Sequence, residues 1–309
     1  MKLRHILQLA LISTISFAAC SDDNENDKGK EKEPEYVFSN LRFMHTDDEN
    51  NGDNIPFSWD GSSWKYNEDG VLTEFSPRYA VNVRSFPNIE ISDAYIRATG
   101  KYESSTLTGK QTEVAEQKVL FENKRISEVN LSYLIVQTEP AYSSGDYRNE
   151  IFHYDNDGYL VKITGEDKNG YVISDLNIQI EWTNGNISKV ITSDATYHYT
   201  YDDKAYIPMS DFAPYTPTFL FCPFPFVEFY NKMGKPNKNN ISKVEIVYNT
   251  TTPAYDVHSM TYAPEIDENG KIKWISHTGT YHTHFSEGSE QKSFKGIKTS
   301  FIYTPKTEL

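Results

Sequence analysis

Six copies of one short turn motif dominate residues 66–275, and few folds accommodate them. Four carry the glycine: Tyr66-Asn67-Glu68-Asp69-Gly70, Tyr154-Asp155-Asn156-Asp157-Gly158, Trp182-Thr183-Asn184-Gly185 and Ile266-Asp267-Glu268-Asn269-Gly270. Two replace it, at Asn123-Lys124 and Asn239-Asn240. Each is followed by Ile or Leu (Val-Leu at 71–72) and, three residues later, by another apolar residue. Asp-Gly and Asn-Gly tolerate positive φ at both centres of a type I′ turn, so they predict β-hairpins. The shortest gap between copies, 27 residues, is half of the longest, 54, which fits a unit of two strands and two turns. Consecutive hairpins of this kind build an antiparallel meander. Composition agrees: 22 tyrosines and 17 phenylalanines stand among many turn-forming residues. No stretch reads as a three-turn amphipathic helix; Glu113 to Phe121 comes nearest and fits a strand as well. The expected fold class is all-β, a meander of long hairpins forming a curved open sheet or a barrel-like structure.

Outside the repeat, the first residues are the most telling. Lys2 and Arg4 precede an apolar run, Ile6 to Phe17, then Ala18, Ala19 and Cys20. The run is too short to span a bilayer and has the layout of a secretory signal. The cysteine resembles that of the lipobox of bacterial lipoproteins, which implies lipidation at Cys20. The following Ser21-Asp22-Asp23-Asn24-Glu25 resembles the signal that exports Bacteroidetes lipoproteins to the cell exterior. Residues 1–19 are therefore expected to be a signal peptide. Residues 20–35 have almost no apolar side chain and read as a disordered acidic tether. Residues 36–309 read as one β-rich domain, interrupted at about 205–236 by a segment with six of the fourteen prolines. An ordinary signal cleaved near Ala19, with periplasmic rather than external display, is the other reading.

The motif Tyr154-Asp155-Asn156-Asp157-Gly158-Tyr159-Leu160-Val161-Lys162-Ile163 resembles the YD repeat of bacterial surface and toxin-shell proteins. With the lipoprotein start, the spacing over about residues 60–300 is similar to an uncharacterised Bacteroidetes lipoprotein family described as having a porin-like fold. That resemblance implies architecture only, because the family has no assigned activity.

Net charge is −14, which does not attract nucleic acid or anionic lipid, so no nucleic-acid partner is expected. With Cys20 lipidated, Cys222 has no intramolecular disulfide partner. Trp59, Trp64, Trp182 and Trp274 are candidate sugar platforms, or structural members of the sheet. Phe219, Phe221, Phe224 and Phe226 lie in the proline-rich insertion. They suit either a plug that closes the core or a patch for a partner protein. His282 and His284, near His277, share one strand face and are weak metal candidates lacking a carboxylate at fixed spacing. Asp47, Glu49 and Asn51 before Gly52 echo a calcium loop, but Ser58 stands where the bidentate Glu is needed. No catalytic motif and no cofactor motif is present.

Three functions remain open. The first is a non-enzymatic, outer-membrane, externally displayed lipoprotein that binds a ligand such as a polysaccharide, or an outer-membrane protein. The second is a structural or envelope-assembly lipoprotein. The third is a glycan hydrolase with two carboxylates.

Overall fold

The computed structural model describes residues 36–45, 61–78, 86–106, 109–137, 142–217, 232–249, 255–285 and 288–306. Sixteen strands form one antiparallel sheet. In chain order the first four are β1 (Tyr36–His45), β2 (Gly61–Tyr66), β3 (Leu72–Arg78) and β4 (Asn88–Ile91). Next come β5 (Tyr95–Thr106), β6 (Gly109–Glu122), β7 (Arg125–Gln137) and β8 (Tyr142–Tyr154). They are followed by β9 (Leu160–Asp167), β10 (Val172–Thr183), β11 (Asn186–Ile191) and β12 (Ala195–Ala205). The last four are β13 (Asn239–Tyr248), β14 (Tyr255–Ile266), β15 (Ile272–Phe285) and β16 (Gly288–Pro305). Every strand pairs with its neighbour in sequence, except that β1 pairs with β16 and the ladder parts between β3 and β4. One bridge, Phe75 to Phe86, spans that seam with a backbone hydrogen bond in each direction. The all-β meander expected from the turns is what the chain forms. The segment Glu113 to Phe121 is strand, inside β6.

The turns differ from the simple expectation. Asn184 (φ 54°) and Gly185 (φ 82°) do form a two-residue turn with positive φ at both centres, as do Asn123 and Lys124. In the Asp-Gly and Asn-Gly copies at 70, 158 and 270, and at Gly170, only the glycine has positive φ. There the loop begins three residues earlier, and the glycine N–H donates to the carbonyl of Asn67, Asp155, Asp167 or Asp267. The side chain of that first residue clamps the loop. The Asp267 Oδ1 accepts the N–H groups of Asn269 and Lys271, each at 2.9 Å, and Asn67 and Asp167 do likewise. The determinant is thus the Asx residue that opens the motif together with the glycine that closes it.

The odd spacing of the apolar pair has a physical cause. On a regular strand, residues three apart face opposite sides. Here each copy carries one extra residue after its turn: Thr73, Ser127, Val161, Ser188, Ser242 or Lys273. These β-bulges bring both apolar residues to the same face. Leu72, Ile126, Leu160, Ile187, Ile241 and Ile272 form one buried tier, and Phe75, Val129, Ile163, Val190, Val244 and Ile275 a second. Burial stabilises each by about 1.5–3 kcal/mol relative to exposure. At four bulges a hydroxyl donates across the interrupted ladder: Thr73 to the Lys65 carbonyl, Ser127 to Leu120, Ser188 to Glu181 and Ser242 to Thr200.

The aromatics that open three of the motifs, and Tyr201 of β12, tie neighbouring strands at the same end of the sheet. Tyr66, Tyr154, Trp182 and Tyr201 donate to the carbonyls of Phe38, Ile126, Leu160 and Ile187, at 2.7–2.9 Å. Outside, facing water, cross-strand ion pairs join Lys65 to Glu74, Arg97 to Glu116 and Lys189 to Glu181.

Candidate functional site

The described residues of the connection between β12 and β13, 206–217 and 232–238, pack against the end of the sheet that holds the repeated turns. Its described residues turn inward: Met209, Phe212 and Ala213 join the core and are at most 5% exposed. Two wall tyrosines hold it, Tyr199 donating to the Tyr215 carbonyl at 2.9 Å and Tyr262 to the Pro214 carbonyl at 2.6 Å. Burial raises both phenol pKa values well above the ordinary range, so both stay protonated donors. Asn240 accepts from the Ile207 N–H and the Ser210 hydroxyl, and Asn237 from the Ile187 N–H and the Tyr201 hydroxyl. The returning limb bonds three turns: Ile126 N–H to the Lys232 carbonyl, Lys235 to Gly158 and Lys238 to Gly185. A cleft of about 40 Å³ lies between Trp182, Asp211 and Met233, room for a few waters. The described parts of this insertion therefore act as a plug. Phe219, Phe221, Cys222, Phe224 and Phe226 lie outside the described residues, as do Cys20, Trp59 and the acidic stretch at 47–54.

The other candidates separate. Trp64 is 3% exposed, between Phe38 and Phe75, so a sugar ring cannot reach it. Trp182 is half-buried, its indole N–H bonded to Leu160 and its ring against Tyr159. Trp274 is half-buried and faces outward, with the ammonium groups of Lys298 and Lys273 at 4.2 and 4.3 Å from its ring centre. Those two cations occupy the ring that a sugar would cover. His277 faces the core, 1% exposed, with Nε2 2.7 Å from the Thr299 hydroxyl. Burial lowers its pKa to about 3, so it is neutral. His282 is on the opposite face of β15. His284 follows at the same parity, opposite Ser289.

A polar row on the core-facing side of β6–β8 escaped the sequence reading. Gln117 is 1% exposed, and neither its amide oxygen nor its nitrogen has a hydrogen-bond partner. In the ladder Gln117 is opposite Leu131, and Leu131 opposite Arg148, two strand spacings or about 10 Å across the wall. Glu150 follows Arg148 on the same face, its carboxylate 3.3 Å from the guanidinium Nε. Burial raises the Glu150 carboxyl to about 7, with Arg148 opposing the rise. The row combines an amide donor and acceptor, a carboxyl near half-protonation and a guanidinium, a set suited to hydroxyl or carbonyl groups of a neutral polar ligand. One signal was available: Gln117 shares parity with Val119, and Glu150 with Phe152, both core residues.

Residues 64–273, more than half of the chain, match the family described as a domain of unknown function (DUF4595) with porin-like fold. No curated protein matches. The chain is similar to a porin-like protein from Bacteroides uniformis at 12% identity and a TM-score of 0.46, covering 86% of this chain and 98% of that one. A porin-like protein from Bacteroides vulgatus is similar at 9% identity and a TM-score of 0.35, covering 87% and 98%. On the strength of the match across its repeated hairpins, the chain belongs to the family of domains of unknown function with porin-like fold.

Proposed function

We propose that this chain is a lipid-tethered protein of the outer membrane, displayed outward, whose sheet stands in water and binds an extracellular ligand rather than conducting solutes. The observation that carries the proposal is the outward face. A membrane-spanning barrel presents an apolar band to lipid, where each Lys or Arg near the midplane costs about 2–4 kcal/mol. Here Lys65, Arg97, Lys189 and Lys243 all lie on the outer face, each paired with a glutamate. The core side chains are inside, the exposed apolar ones such as Val114, Leu134 and Val136 share the outer face with charged residues, and the described part of the plug occupies the interior at the turn-bearing end. The ligand class proposed is a polysaccharide, met by the partly exposed Arg148, since Gln117 and Glu150 are as closed to a sugar ring as Trp64.

The test uses the mature full-length chain with Cys20→Ser, which removes the lipid. The protein should stay monodisperse without detergent, leave planar bilayers non-conducting and be retarded in gels containing a member of a panel of plant, mucin and microbial polysaccharides. A need for detergent, or stepwise conductance, overturns the water-immersed reading. Release of new reducing ends would convert the binding assignment into hydrolysis. Retention by an outer-membrane protein, with no glycan retarded, would replace the ligand class.

A further inference from the structure

The outer face of β14 and β15 brings together two imidazoles that are 24 positions apart in sequence. Val257 pairs with Tyr281 and Ser259 with Thr280, so His258 is the extra residue of a bulge. The bulge places its ring against that of His282, with centroids 4.3 Å apart and planes inclined by 66°. The Ser259 and Thr280 hydroxyls, 3.0 Å apart, lie on the adjoining ladder pair, and both imidazoles are partly exposed, with His258 Nε2 turned inward and buried, which leaves Nδ1 as its ligating atom. Tyr248 presents its ring edge-on to His258 at 6.0 Å, limiting rotation of that imidazole. Among the described side chains, no group of three or more His, Cys, Asp or Glu is placed to hold a metal ion.

The separation of the rings selects among metals. With metal–nitrogen bonds of about 2.0 Å and ring centres about 1.2 Å beyond, imidazoles at 90° have centroids about 4.5 Å apart. At the tetrahedral angle the same bonds put them about 5.2 Å apart. The observed 4.3 Å is close to the first value and well short of the second. Tetragonal geometry with nitrogen and oxygen ligands is the preference of Cu(II), which also heads the affinity order for divalent first-row ions.

We propose that His258 and His282 form a surface site for Cu(II), binding it in cis through two imidazole nitrogens, with water in open positions. The site lies on the outer wall, apart from the inward polar row and from the plug. It does not depend on the ligand-binding proposal above.

The test is a titration of the full-length protein with copper sulfate near neutral pH, followed by electron paramagnetic resonance and by the thermal melt. One equivalent should bind ahead of any other, giving a tetragonal spectrum with hyperfine splitting from two nitrogens and raising the melting temperature. His258→Gln and His282→Gln should each weaken that equivalent at least about tenfold. His153→Gln, on the outer face of β8, should change nothing. Both site residues are on the surface, so unchanged melts without metal show that the variants are folded. Survival of the first equivalent in the double variant overturns the proposal, as does a one-nitrogen spectrum. Four-coordinate zinc binding tighter than copper would overturn the choice of metal.

Discussion

Replacing Gln117 by leucine should make this protein more stable and leave its ligand binding unchanged. The side chain is 1% exposed, and both amide atoms lack partners. A buried polar group without a partner costs about 1–3 kcal/mol, whereas an apolar group of similar volume restores contacts without that cost. Ala98 and Leu131 flank the position across the ladder, so leucine meets apolar neighbours. Two orphaned atoms, partly relieved by relaxation, give an expected gain of about 2 kcal/mol. For a domain of this size that raises the melting temperature by about 4–8 °C. The assay is differential scanning calorimetry of wild type and Gln117→Leu, beside gel retardation on the polysaccharide panel. A melting temperature lowered by the substitution would refute the reasoning. It would mean that the amide is satisfied within the fold by ordered water and is structural. A higher melting temperature with diminished retardation would keep the energetics and add Gln117 to the binding site.

Other expectations can be checked with the same instruments. Gly279→Ala would bring a Cβ to 2.2 Å from the Ser259 carbonyl and 2.6 Å from the Phe294 ring, and should destabilise by at least about 1–3 kcal/mol. Gly170→Ala meets open space and should cost only the left-handed backbone, about 1–2 kcal/mol; equal losses at the two sites would contradict the packing. Tyr262→Phe leaves the buried Pro214 carbonyl without its donor and should cost about 1–3 kcal/mol, with protease cleavage rising first in the plug. Between pH 4.5 and about 7, folded Glu150 keeps a proton that the unfolded chain releases, so stability falls as pH rises, by about 1 kcal/mol per unit. From pH 6.5 down to about 3, the unfolded chain takes up a proton that buried His277 refuses, so stability falls as pH falls, at a similar slope. The two slopes oppose each other between about pH 4.5 and 6.5. Glu150→Gln should therefore unmask a loss of stability toward acid, and His277→Gln a gain; denaturant melts across this window would show either.

The meander was legible because its turns are local. Asx and glycine spell the loop within five residues, and no distant contact is needed to form it. The bulges were written just as plainly, in the three-residue spacing of the apolar pair. That spacing looks like neither a strand nor a helix until the extra residue is counted. The plug was half legible. Prolines mark about 205–236 as an interruption of the ladder, but the inward course of its described part depends on Tyr199 of β12, Asn240 of β13 and Tyr262 of β14, and on Asn237 of the returning limb. The polar row was hidden because Gln117, Arg148 and Glu150 come from two strands separated by a third, and only the register aligns them. The pairing of His258 with His282 was hidden for the related reason that a bulge in β14 decides it.

The pairing of the first strand with the last has a consequence for how the chain is made. Tyr36 lies opposite Pro305, and the register runs from there to His45 opposite Ile297. A ribosome or a secretion channel delivers β1 long before its β16 partner exists. Until then β1 keeps one open edge, with only β2 against it, along just two residue pairs. Folding is therefore completed last where it began, and a chain lacking β16 leaves two unpaired edges, on β1 and on β15. Such edges are templates for joining other chains. The neighbourhood of Tyr36 and Pro305 means that a chain of residues 36–305 could be cut at an exposed hairpin, those two residues linked by a short peptide, and the order of strands in space left unchanged.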